Sequence, residues 1–77
     1  MNRQQIKERV VSNPAVMLGK PVIRGTRMPV YLIVDFIEAG QSPEEIVSDY
    51  PDLTIEDIEA ANAYAALESQ RTEVRSL

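Results

Sequence analysis

The sequence predicts a mainly α-helical domain in which a short N-terminal β-hairpin or arm leads into three helices at helix-turn-helix spacing. Two observations carry this. After residue 29, helix start and stop signals recur in order: Pro29 and Gly40 bracket an apolar run, Ser42-Pro43 opens a second helix, and Thr54 opens a third. Before residue 29 the chain instead holds β-branched pairs and the run GKPVIRGTRMPV (Gly19–Val30), in which Gly19 and Gly25 free the backbone while Pro21 and Pro29 fix it.

In chain order, residues 6–11 (IKERVV) alternate and then become β-branched, which suits a short strand or arm. Asn13-Pro14 reads as a turn. Val22-Ile23 or Arg27-Met28 can pair with residues 8–11 as a small hairpin, limited to a few residues by the flanking prolines. The first helix runs from Val30 to Ala39, and only Asp35 and Glu38 interrupt its apolar surface. A helix without a wet face is central to a core or half of an interface. The second begins at Ser42 as N-cap, with Glu45 completing a capping box, and stops at Tyr50 because Pro51 follows. The third begins at Thr54, with Asp57 three residues on and Leu53 placed to pack on Ile58, and runs to about Ser69. The link Pro51-Asp52-Leu53 fits helix-turn-helix spacing, although bundles that never touch DNA share it. The expected inward positions are Ile33, Phe36, Ile37, Ile46, Val47, Tyr50, Ile55, Ile58 and Ala65.

At 77 residues the chain reads as a single domain, residues 1–77, divided into a basic arm and loop (1–29) and a helical unit (30–69). A domain of this size buries only about 60% of its unfolded surface, so a homodimer or a tight partner is expected. With no Cys and no His, disulfides and the usual zinc sites are excluded, and no metal or cofactor is expected. The longest apolar run, Val30 to Val34, is too short to span a membrane, and no apolar signal-peptide core follows the polar start, which predicts a cytoplasmic protein. The net charge of −4 hides a polarity: residues 1–29 hold six Lys/Arg and one Glu (+5), while residues 30–77 hold two Arg and eleven Asp/Glu (−9). The two halves should meet different partners.

The stretches GKPVIRGTRMPV and SPEEIVSDYPDLTIEDIEAANAYA closely resemble a bacterial and archaeal family catalogued as domain of unknown function 433, over about Val10 to Leu67. Met28 stands where that family mostly shows Ile or Val, and Leu18 where it often has Gly or Cys. The resemblance implies a homeodomain-like three-helix domain preceded by a short β element. It also implies a role as an antitoxin paired with a PIN-like ribonuclease toxin.

Several residues are candidates for that chemistry. Glu44, Glu45, Glu56 and Asp57 sit at helix N-termini, where the macrodipole favours carboxylates for structural reasons, and nothing else suggests an enzyme. Asp49 and Asp52 flank Pro51 and are a weak magnesium signal. If DNA is bound, Glu56, Asp57 and Glu59 would repel phosphates from the third helix. The basic half, Arg3, Lys7, Arg9, Lys20, Arg24 and Arg27, would then make the contacts. Those same cations could instead offset the acidic helices. In the third helix Ala60, Ala63, Tyr64 and Leu67 line up as a second apolar stripe, a candidate dimer or partner interface. Arg24 and Arg27, beside Gly25-Thr26, could bond carbonyls or pair with Asp35 or Glu38. With the toxin resemblance in view, they could also form a fork that fills a nuclease's acidic metal site. The expected function is a non-catalytic antitoxin that can also bind its operator. The alternatives are a DNA-binding regulator without a toxin, or a dimeric adaptor.

Overall fold

Helix signals begin earlier than the alternation in residues 6–11 suggests. Asn2 and Gln5 form a capping box: the Asn2 side chain accepts the Gln5 amide, and the Gln5 side chain accepts the Asn2 amide, each at 2.9 Å. Helix α1 (Arg3–Arg9) follows, so most of the expected strand or arm is helical, and only Val10–Val11 form a strand, β1. Ile6 and Val10 lie four residues apart and are both buried, the spacing of one helical face. The structure is a computed structural model. It describes the backbone of residues 1–15 and 17–76, and the side chains of those residues except Met17 and 70–76.

The hairpin forms as expected between β1 and Val22–Ile23 (β2). It is antiparallel, with Val10 opposite Ile23 and Val11 opposite Val22. Arg27-Met28 is not a strand, but the Ile23 amide donates to the Met28 carbonyl at 3.0 Å and Val22 bridges Pro29. Between them Gly25, at φ +79°, supplies the left-handed residue of a turn closed by the Thr26 amide on the Ile23 carbonyl. The Thr26 hydroxyl reinforces that turn, donating to Ile23 O at 2.8 Å and accepting the Met28 amide at 3.0 Å. Upstream, in the short 3-10 segment Met17–Gly19, Leu18 is the one described non-glycine residue at positive φ, +57°, and is 93% exposed.

Helix α2 (Val30–Glu38) ends on Ala39 with Gly40 at φ +98°, and α3 (Pro43–Asp49) carries the capping box of Ser42 and Glu45 and ends on Tyr50. Both match their sequence signals. Helix α4 (Ile55–Ser76) opens on a reciprocal Thr54–Asp57 box and continues past Ser69, since residues 70–76 contain neither Gly nor Pro to stop it. The fold is therefore mainly helical, with four α-helices and one small antiparallel sheet among the described residues. Helix α4 is its spine, packed against α1, α2, α3 and β1.

One buried cluster joins these elements, with Ile23, Ile33, Ile46 and Ile58 enclosed at its centre. Leu53 and Ile58 are both in it, as the staple predicts. Of the other expected inward positions, Phe36, Ile37 and Val47 pack half-buried against the cluster, and Ile55 and Ala65 are half-buried. Tyr50 is not inward: it is exposed and its ring stacks on Phe36 at 5.5 Å, because the helix end at Pro51 leaves it on the rim.

Candidate functional site

The turn at Gly25 separates the two arginines that flank it. The Arg24 amide donates to the Arg9 carbonyl at 2.8 Å and its Nε donates to the Glu8 carbonyl at 2.6 Å, so Arg24 fastens the end of α1 to the hairpin. This is the carbonyl-binding alternative of the sequence reading. Arg9 points to the start of α4, where its Nη1 meets Asp57 Oδ1 at 3.0 Å. Asp57 is the one buried charged residue described, and its other oxygen accepts the Thr54 amide at 3.1 Å. Glu8, Arg9, Arg24 and Asp57 thus line one hollow of about 400 Å³ that holds α1 against α4. Arg9 is largely a structural cation.

Lys20 lies over the ring of Tyr31, its Nζ 5.4 Å from the centroid, a cation–π contact on an exposed aromatic. Arg3 and Lys7 are exposed on α1, with Lys7 in its last turn, where the helix dipole favours a cation.

Arg27 differs from the rest. It is exposed, has no hydrogen-bond or ion-pair partner among the described residues, and lines a separate half-open cleft of about 400 Å³ that Arg24 does not reach. The two arginines therefore do not form one fork. The cleft runs between the segment 26–29 with Leu32 and the turn 49–53 that joins α3 to α4. Its floor is Pro29 and Leu53, both buried, with half-buried Met28 and Leu32; Tyr50 stands on its wall. Asp49 and Asp52 line the same cleft from the turn 49–53, both exposed and likewise without partners among the described residues. No group of three or more His, Cys, Asp or Glu side chains able to hold a metal occurs among the described residues.

The second apolar stripe is core in part. Ala60 is fully enclosed, as is Ala61, so Ala60 is not available to a partner, while Ala63, Tyr64 and Leu67 pack half-buried against the same cluster.

The sequence matches the family model described as "Protein of unknown function (DUF433)" over residues 10–65. The chain belongs to the DUF433 family. A crystal structure of a DUF433 member protein from Anabaena variabilis ATCC 29413 superposes with a TM-score of 0.76 at 30% identity, covering 94% of this chain and 71% of that one. An uncharacterized protein, y4eO, of Sinorhizobium fredii (strain NBRC 101917 / NGR234) is 42% identical over 59 residues, 77% of this chain. The chain spans about a quarter (27%) of that relative's length. The stretch matched to DUF433 starts at Val10, after α1, and contains both walls of the Arg27 cleft. Parts of the two stretches that carry the resemblance, residues 26–29 of the first and 49–53 of the second, meet there. Sequence reading weighed Asp49 and Asp52 only as a weak metal pair. It missed Leu32, Met28 and Tyr50 as cleft lining, and the DYP turn was the signal available. No helix among the described residues is long and apolar enough to cross a membrane.

Proposed function

We propose that this DUF433 chain is a non-catalytic antitoxin that binds and neutralises a PIN-like ribonuclease. The observation that carries the reading is Arg27: an exposed cation without a partner among the described residues, set at the rim of an apolar cleft. A guanidinium presented in this way suits the clustered carboxylates with which such nucleases hold magnesium, since it can bond two carboxylate oxygens at once. The neighbouring cations Arg9 and Arg24 are bound to Asp57 and the Glu8 carbonyl, so the binding charge concentrates on Arg27.

Operator binding is a secondary part of the reading. Glu56 and Glu59 are exposed on the first turns of α4, where a recognition helix would meet the duplex, so any DNA contact falls to the exposed cations Arg3, Lys7 and Arg27.

The experiment is to clone any PIN-like nuclease frame adjoining this gene in its genome, co-express it with the chain, and assay RNA cleavage by the purified pair; absence of such a frame counts against the reading. Arg27→Ala should relieve inhibition, and Arg24→Ala should have a smaller effect. If the wild-type chain neither co-purifies with the nuclease nor slows cleavage at micromolar concentration, the reading fails.

A further inference from the structure

The Arg27 cleft is lined by charged and apolar groups drawn from two segments, and this combination selects its occupant. Arg27 comes from the segment 26–29 and Asp49 and Asp52 from the turn 49–53; no ion pair joins them, so both charges stay available. The apolar lining includes Pro29, Leu32 and Leu53. The wall at Tyr50 is stiffened by the stack on Phe36, with 17° between the rings. A volume of about 400 Å³ lies within the range that takes one bulky side chain and its neighbours.

We infer that this cleft receives an extended segment of a protein partner carrying a carboxylate, a bulky apolar side chain and a cation at alternate positions. In an extended chain, residues i, i+2 and i+4 share one face. That face would lay its carboxylate on Arg27, its apolar side chain on Leu32 and Leu53, and its cation on Asp49 and Asp52. A helix would bring such groups together at spacings of three and four instead. The inference rests on the functional reading above only in taking the occupant from a protein partner. It adds where that partner is held and by what chemistry.

The probe is the blocked peptide acetyl-Glu-Thr-Leu-Thr-Lys-amide, whose threonines favour extension. It is titrated into the isotope-labelled full chain while backbone amide shifts are followed. Saturable shifts are expected at Thr26, Arg27, Leu32, Tyr50 and Leu53. The same peptide with Gly for Leu should bind at least about fivefold more weakly, the factor of about 1 kcal/mol expected of a lost apolar anchor. R27E should weaken the original peptide about tenfold, and acetyl-Lys-Thr-Leu-Thr-Lys-amide should bind that variant better than it binds the wild type. D52K paired with acetyl-Glu-Thr-Leu-Thr-Glu-amide is the second charge swap. Both substituted residues are exposed, so neither change disturbs the core. Absence of saturable shifts at the cleft amides, equal binding of the Gly peptide, or failure of both charge swaps would overturn the inference. So would self-association of the chain abolished by R27E, which would give the cleft to a second copy. A parallel binding assay with the PIN-like nuclease separates the two readings. If the peptide binds and the nuclease does not bind the wild type, the antitoxin reading fails and the cleft assignment stands. If the nuclease binds wild type and R27E equally, the cleft is not the partner's seat and the inference fails; inhibition of cleavage by the wild type would then keep the antitoxin reading but without Arg27 as its carrier.

Discussion

Replacing Asp57 should cost this domain more than replacing any exposed acid, and the structure allows the magnitude to be worked. Its Oδ2 accepts the Thr54 amide at 3.1 Å, and its own amide donates to Thr54 Oγ1 at 3.1 Å, which satisfies two amides that α4 would otherwise leave open. Its Oδ1 accepts from Arg9 at 3.0 Å. A hydrogen bond to a charged acceptor contributes about 1.5–3 kcal/mol. The ion pair adds less, because the Arg9 side chain is 38% exposed against 12% for Asp57, and solvent screens it to about 0.2–1 kcal/mol. Asp57→Ala should therefore lose about 2–3 kcal/mol in all. Arg9→Met, which leaves the cap intact, should lose about 0.5–1 kcal/mol. For a domain of this size 1 kcal/mol shifts Tm by about 4–8 °C, so the two variants separate clearly in thermal unfolding followed by circular dichroism. A double-mutant cycle should return a coupling of about 0.5–1 kcal/mol. If Arg9→Met costs as much as Asp57→Ala, the ion pair and not the cap holds this end of α4, and the reasoning is wrong. If Asp57→Ala costs less than about 0.5 kcal/mol, neither does.

Ile6→Ala, at a buried contact of α1, should destabilise by about 2–3 kcal/mol in urea unfolding; a cost below about 1 kcal/mol would mean that α1 is not part of the core. Ala60→Leu should cost about 1–3 kcal/mol by overpacking an enclosed position, whereas tolerance within about 0.5 kcal/mol would restore Ala60 to the surface stripe. Leu18→Gly should raise stability by about 0.5 kcal/mol: it relieves a left-handed residue of about 1–2 kcal/mol of strain, and the looser unfolded chain offsets part of the gain. A fall in Tm would show that Leu18 makes a stabilising contact despite its exposure. The pair Glu56→Gln and Glu59→Gln should strengthen binding to random duplex at low salt, read by fluorescence anisotropy; a change in sequence preference instead would identify α4 as a recognition helix.

What the sequence determined by itself is what local chemistry controls. The ends of α2, α3 and the start of α4 follow from Pro29, Gly40, Ser42, Glu45, Pro51 and Thr54, because a cap is a hydrogen bond between residues three apart. The same rule holds at Asn2 and Gln5, and this local cap, not the alternation of residues 6–11, decides the conformation of residues 6–9. The hairpin was legible because the prolines and glycines around Val22-Ile23 leave few other pairings. Which face of α4 lies inside depends on contacts between distant segments. A run of alanines has no strong periodicity, so the burial of Ala60 depends on which elements pack on α4. Such tertiary contacts also decide the roles of the cations. Arg9 and Asp57 stand 48 residues apart, and no local rule links them. Arg24 and Arg27 are near neighbours in the chain, yet one binds a carbonyl of α1 while the other faces a cleft completed by the turn at Pro51. Charge and residue type are written in the chain, but whether a charge has a partner depends on which distant segment the fold brings beside it.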